Sequence, residues 1–449
     1  MNVEGGQPLL PVECEAFCQS LQKYDLRDVG SSSWSRQHEK LEKLNMQAIA
    51  NAAAEESEFV KEFLINEGKY PMLIEDLLTT ELWREKIFSQ FIAVKFEPKI
   101  TFPVYMVLYH EATLVNLLET TLYYQETCES CGDAILDLID YCHRKLIWLS
   151  ARSEEDLQTE VDAEDAEEKA SALGPNMKEL SSQDASIQFD IAIKCLSLLR
   201  YICDHLSVLP LSCSSRILNS LDFPVLLVEI LQNSPWTKAD NGKLQKYIDN
   251  KWTVITDSDR FKLTKTEGQI WLTLYKLLMD PDCMRKYELN GLRKNTLLKL
   301  RSHLNELMVD QLPILGDLHM YLERLSMMEA PASKQDLILE QMPEIRARLL
   351  EDNNGKFVTI SKNQMKKFFD PSEETLKEQA KRWADTYNFD MLESLISEPA
   401  KCAVCGELAT KRCSRCQNEW YCRRECQVTA WKKHKSICDM LYTAKQPLK

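Results

Sequence analysis

Residues 402–438 read CAVCGELATKRCSRCQNEWYCRRECQVTAWKKHKSIC, and this stretch decides how the C-terminal part of the chain must fold. Cys402 and Cys405 form one pair, Cys413 and Cys416 a second, Cys422 and Cys426 a third, and His434 and Cys438 a fourth. A two-residue gap lets both sulfurs of one turn reach a single ion, and a three-residue gap places ligands four apart on one face of a helical turn. Eight thiolate and imidazole ligands in four pairs match the needs of two tetrahedral zinc ions. So short a segment cannot bury enough apolar surface to fold unaided. Each zinc supplies on the order of 10 kcal/mol of apparent binding energy, which becomes folding energy. With four protein ligands apiece, neither ion keeps a position for water or substrate, so the spacing predicts structural rather than catalytic zinc. Spacing alone leaves open whether neighbouring or alternate pairs share an ion.

The same segment holds eight Lys/Arg against three Asp/Glu. Seven thiolates and two divalent ions reduce that excess to about +2, a poor match for a phosphate backbone. The whole chain carries a formal net charge of −14, which also argues against nonspecific attraction to nucleic acid or anionic lipid. No nucleic-acid partner and no membrane span are expected, because no run approaches the roughly 18 apolar residues a span requires. The stretch MNVEGGQPLLPVECEAFC lacks the basic start and apolar run of a secretory signal. A reducing cytosol or nucleus is therefore expected, where the 16 cysteines serve as thiols and metal ligands. The nine outside the finger fall mostly on apolar helical faces and are predicted to pack as small hydrophobes.

Upstream, 449 residues are too many for one ordinary core, and only 12 glycines with 44% apolar residues suit a helix-rich protein. In Ala134–Ser150 the residues Ile135, Leu138, Ile139, Cys142, Leu146 and Leu149 recur at helical spacing. Val104–Tyr124 has a similar stripe through Val107, Leu114, Leu118 and Leu122. Nine acidic residues and no basic ones lie between Glu154 and Glu168, which predicts a solvated linker. Helical periodicity resumes at Ile187–Leu206 and continues through Val225–Gln232, Gln269–Met279, Thr296–Val309 and Asp317–Met328. Two β-branched pieces downstream of Asn-Gly-Lys, Trp252–Ile255 and Phe357–Ile360, are predicted to be small hairpins. Asp370 as N-cap, Pro371 at the first position and Glu373 three residues after the cap predict one more helix before the finger.

The expected fold class is mainly α, a helical scaffold of armadillo or HEAT kind with a small C-terminal two-zinc finger. Its expected parts are an N-terminal helical region at 1–150, an acidic linker at 151–186 and a second helical region at 187–369. A connecting helix at 370–397, the finger at 402–438 and a tail at 439–449 complete it.

The ligand pattern C-x2-C-x7-C-x2-C-x5-C-x3-C-x7-H-x3-C resembles the MYND finger at every ligand position. That resemblance implies interleaved sites, with Cys402, Cys405, Cys422 and Cys426 on one zinc and Cys413, Cys416, His434 and Cys438 on the other. It also implies a shallow groove for proline-containing peptides at Ser414, Gln427 and Trp431. Gln427 and Trp431 are four apart and share a helical face, where the indole could stack on a proline or instead pack inside the finger.

Four further segments, QHEKLEKLNMQAI (37–49), TFPVYMV (101–107), DLIDYCHRKL (137–146) and KRCSRCQNEWYC (411–422), are similar in this order to the MYND-domain axonemal dynein assembly factors. The resemblance implies a cytoplasmic co-chaperone for preassembly of outer and inner dynein arms of motile cilia. Its implied partners are a leucine-rich-repeat assembly factor, an FKBP-type immunophilin and the ninety-kilodalton heat-shock chaperone, with dynein heavy and intermediate chains as clients. Concentration in dynein assembly particles, near centriolar satellites or at the ciliary base belongs to the same expectation.

Two other functions compete. MYND fingers also occur in SET-domain methyltransferases, but their Asn-His-Ser-Cys cofactor motif and β-rich catalytic segments are missing here, and no enzyme activity is expected. A transcriptional corepressor that recruits partners through the finger is compatible with the ligand pattern. Cys128 and Cys131 form a further CxxC near Cys142 and His143. Cys142 lies on the apolar stripe while His143 points about 100° away, so ordinary thiols are expected rather than a third metal site.

Overall fold

A computed structural model of the chain describes residues 9–54, 57–152, 173–240, 243–256, 259–329, 341–370, 402–405, 407, 409, 411–415 and 419–444. Residues 10–369 make one unit and the finger region belongs to another. The fold class is the expected one, mainly α, an armadillo/HEAT-like helical scaffold followed by a small cysteine-rich finger.

Apolar faces explain why the scaffold helices assemble. Helix α1 (Ser32–Ala54) and helix α2 (Tyr70–Trp83) both pack on helix α3 (Phe102–Thr121), which begins with Pro103 in its first turn. Val104, Val107, Leu108, Leu114, Val115 and Leu118 of α3 are buried on more than one side, so this helix needs partners beyond its immediate neighbours. Helix α4 (Ala134–Ser150) has the predicted bounds and buries its whole predicted stripe. Helix α5 (Pro175–Asp204) lies against α3, α4 and helix α6 (Lys265–Met279).

Helix α5 corrects two expectations. It starts at Pro175, with Met177 and Leu180 buried, so residues 175–186 are helical and not part of the acidic linker. Its packing on α3 and α4 also joins the two helical regions expected at 1–150 and 187–369 into one unit. The rest of the expected linker, 153–172, lies outside the described residues, and charge composition could not reveal that an apolar face resumes at Met177.

Strands β1 (Thr237–Asp240), β2 (Lys243–Ile248) and β3 (Lys251–Val254) form an antiparallel sheet in the order β1-β2-β3. Asp249 and Asn250 adopt φ values of 49° and 61°, as a two-residue hairpin turn of primed type requires. Tyr247 and Trp252 pack on Phe189 of α5 at ring separations of 5.0 and 5.6 Å. The other predicted hairpin piece, Phe357–Ile360, is instead the start of helix α8 (Phe357–Lys367). Gly355, at φ 72°, turns the chain after helix α7 (Ile345–Asp352), and Ile360 and Gln364 then recur at helical spacing on a buried face. The expected helix Thr296–Val309 is likewise divided, because the Asn305 side chain accepts from the Met308 amide and caps a new helix at Glu306.

Helices α7 and α8 do not extend the stack; they return to the N-terminal helices. Asp137 accepts from the backbone amides of Glu344, Ile345 and Arg346 at 3.2, 3.0 and 3.4 Å, placing a carboxylate at the start of α7. Arg346 reaches Glu81 and Glu85 at 3.3 and 2.9 Å. Phe369 then packs on Trp83 and Phe91 with ring separations of 5.7 and 5.4 Å.

Charge is also buried inside this unit. Glu111 accepts from Arg84 at 3.1 Å, Tyr141 at 2.8 Å and Gln188 at 3.1 Å, and pairs with Lys145 at 2.5 Å. Burial favours its neutral form, but Lys145 and Arg84 outweigh burial and hold the carboxyl down at about 2. Glu42 is pushed up to about 7 by burial, against a hydrogen bond from Thr113 and the nearby His110.

Among the described residues, no helix is long and apolar enough to cross a membrane. The connecting helix expected at 370–397 lies outside the described residues apart from Asp370. The expected tail at 439–449 is shortened, since the finger's last helix runs on to Ala444.

Candidate metal centre

The finger is built from three pieces that backbone hydrogen bonds draw together. Strands β4 (Lys411–Arg412) and β5 (Trp420–Tyr421) pair antiparallel, and the Cys413 amide donates to the Glu419 carbonyl at 2.8 Å. The Ala403 amide donates to the Trp420 carbonyl at 3.0 Å, and the Cys402 amide to the Glu407 carbonyl at 2.7 Å. These bonds seat the first cysteine loop beside the end of β5, where Cys422 follows. Helix α9 (Arg424–Ala444) then supplies Cys426 from its first turn and His434 and Cys438 one turn apart further on.

The result is two clusters made from alternate pairs. Cys402, Cys405, Cys422 and Cys426 form one, and Cys413, His434 and Cys438 form the other; within each, all ligand atoms lie within 4.8 Å of one another. Cys416, the expected fourth ligand of the second cluster, lies outside the described residues. In the first cluster, Cys405 and Cys422 sulfurs are 3.3 Å apart, Cys422 and Cys426 3.6 Å, and Cys426 and Cys405 3.9 Å. In the second, the Cys413 and Cys438 sulfurs are 3.7 Å apart, and His434 Nε2 is 3.4 Å from the Cys413 sulfur. Sulfurs bound to one zinc at about 2.3 Å in a tetrahedron are about 3.8 Å from each other, so both clusters have the size of a zinc coordination shell.

Electrostatics also fit a cation. Desolvation opposes ionisation of Cys402, but backbone hydrogen bonds from Cys422, Cys405 and Val404 outweigh it and lower the thiol to about 6. The hydrogen bond to Cys405 raises Cys422 to about 12, because thiols packed this closely resist each other's ionisation. A divalent ion removes that conflict by stabilising all the thiolates together.

Behind the second cluster, Glu419 Oε1 lies 3.6 Å from His434 Nδ1 and its other oxygen accepts from the Tyr421 hydroxyl at 2.9 Å. At 3.6 Å the contact is longer than a hydrogen bond, so Glu419 acts on the imidazole through its charge, which favours electron donation from the ring to a cation. Cysteine and histidine spacing gives no hint of Glu419, whose role depends on the pairing of β4 with β5.

Trp431 is half-buried, packs on the buried residues of the finger and meets the His434 ring edge-on at 5.9 Å. Gln427 is half-buried on the same helix and Ser414 is exposed, so all three expected groove positions keep surface available to a partner. The CxxC at Cys128 and Cys131 is not gathered into a metal cluster among the described residues. Both thiols are buried and donate to the carbonyls of Leu122 and Thr127, each at 3.3 Å, while His143 meets Phe223 edge-on at 5.3 Å.

Residues 402–438 match the MYND finger family. Beyond the finger, the chain is 33% identical over 453 residues to the zinc finger MYND domain-containing protein 10 homolog of Drosophila melanogaster, a match covering 95% of this chain and 98% of that relative. The chain belongs to the zinc finger MYND domain-containing protein 10 family. Ubiquitin carboxyl-terminal hydrolase 19 of Arabidopsis thaliana is 47% identical over 45 residues, 10% of this chain and 7% of that enzyme. No solved structure matches the chain.

Proposed function

We propose that the protein is a cytoplasmic adaptor and co-chaperone for preassembly of axonemal dynein arms, with the finger as its docking module and no catalytic activity of its own. The observation that carries this reading is the likeness to a zinc finger MYND domain-containing protein 10 homolog along almost the whole of both chains. A finger alone would support only a protein-binding adaptor.

The finger would hold two zinc ions, one on Cys402, Cys405, Cys422 and Cys426 and one on Cys413, Cys416, His434 and Cys438. A full set of protein ligands leaves no position for water or substrate, which supports docking over catalysis. Ser414, Gln427 and Trp431 would contact a proline-containing peptide. A leucine-rich-repeat assembly factor, an FKBP-type immunophilin and the ninety-kilodalton heat-shock chaperone are the proposed partners, with dynein heavy and intermediate chains as clients.

Affinity purification of the full-length protein from differentiating multiciliated cells tests this. The wild type should recover dynein chains and assembly factors, and the Cys402→Ser/Cys405→Ser variant should recover fewer. Their absence from both samples, under conditions that recover known assembly complexes, would overturn the proposal. So would recovery of nuclear repressor complexes in their place.

A further inference from the structure

Among the described ligands, the two cysteine clusters differ in access. Cys405 is exposed and Cys422 half-buried, whereas Cys402 and Cys426 are buried. In the other cluster Cys413, His434 and Cys438 are 1%, 2% and 0% exposed. The two accessible sulfurs are also the nearest pair, at 3.3 Å against 3.6 and 3.9 Å for the other measured separations in that cluster. Tyr421 and Trp431 meet the His434 ring of the second cluster edge-on at 6.2 and 5.9 Å.

From this asymmetry we infer that Cys405 and Cys422 are a peroxide-modification site, which makes the first centre a redox-releasable zinc site and the second a fixed anchor. The inference rests on the zinc reading given above. The Cys405 thiolate attacks hydrogen peroxide, forming a sulfenic acid and releasing hydroxide. The Cys422 thiolate then attacks that sulfur, displacing a second hydroxide and closing a Cys405–Cys422 disulfide. Two thiolates are thereby oxidised and one peroxide is reduced. Cys402 and Cys426 alone cannot retain the ion, and zinc leaves from this centre.

The structural consequence is confined to part of the finger. Loop 402–405 keeps its backbone bonds to Glu407 and Trp420, while α9 stays tied to Cys413 through His434 and Cys438. The docking face at Gln427 and Trp431 lies between the two centres along α9, so the oxidised finger presents it from a partly opened frame. Reduction by thiol and rebinding of zinc restore the closed form.

The test uses the full-length protein, with zinc first counted by elemental analysis. Hydrogen peroxide is then added with a chromogenic zinc chelator present, and disulfides are mapped by mass spectrometry. Half of the bound zinc should leave at least ten-fold faster than the rest, together with a Cys405–Cys422 disulfide, and dithiothreitol with zinc should restore the original count. Release of both ions at one rate, or a first disulfide that includes Cys413 or Cys438, would overturn the inference. A purified protein with no zinc would instead overturn the zinc reading on which the inference stands.

Discussion

The indole Nε1 of Trp83 donates to the Gln364 carboxamide oxygen at 2.8 Å, joining helices separated by 281 positions of chain. The same carboxamide donates to the Leu26 carbonyl at 2.9 Å. Both groups are buried, so Gln364→Leu leaves a donor and an acceptor without partners. The cost should be about 1–3 kcal/mol per orphaned group. Urea denaturation should register that loss, while Asn363→Ala, on the exposed side of the same helix, should stay within about 0.5 kcal/mol of wild type.

Gly30 and Phe369 make a second such closure. Gly30 has φ 88°, and a Cβ there would lie 2.7 Å from the Phe369 ring. Gly30→Ala should therefore be destabilising through both backbone strain and overlap. Phe369→Ala should cost about 3–5 kcal/mol as a core truncation. In the double variant the overlap is gone, so the combined loss should be smaller than the sum, as a double-mutant denaturation cycle would register.

Two buried carboxyls give opposite pH dependences. Glu111 is held near 2 in the folded chain, so its contribution is complete above the ordinary glutamate range and is lost as pH falls through that range toward 2. Glu42 is raised to about 7, so the folded state retains a proton that the unfolded state releases, and stability falls as pH climbs from about 4.5 to about 7. His110 lowers the Glu42 value, and Tyr105 and Tyr109 face the same carboxyl. Glu42→Gln keeps a partner for Thr113 and removes the titration. Its melting temperature should vary less than wild type between pH 5 and 7.5, and should exceed wild type at pH 7.5.

Chelation should separate the two units. If zinc supplies the folding energy of the finger, strong chelators should make residues 402–438 protease-sensitive while the helical scaffold, which contains none of the cluster ligands, keeps its far-ultraviolet circular dichroism. Loss of scaffold helicity in parallel with zinc would contradict this.

What could be read from the sequence follows from how local each signal is. The stripe in Ala134–Ser150 and the ligand spacing of the finger are complete within short windows, and both gave the right element. Phe357–Ile360 failed because four β-branched and aromatic residues carry no period of their own; the deciding facts are Gly355 and the burial of Gln364 against Trp83. The extension of α5 to Pro175 and the return of α7 onto Asp137 depend on residues far apart in the chain. At the metal centre, spacing left the partition of pairs open. The Ala403–Trp420 bond and the placement of Cys426 at the start of α9 group the ligands, and neither is visible in the pattern of cysteines.

A finger that works by docking holds its zinc in closed protein shells. X-ray absorption at the zinc edge of the full-length protein distinguishes closed shells from open ones. The expected spectrum has sulfur-dominated coordination at about 2.3 Å, a single imidazole contribution shared over two ions, and no oxygen ligand. An oxygen ligand in the first shell would contradict it, because it would mark an open coordination position of the kind that catalytic zinc requires.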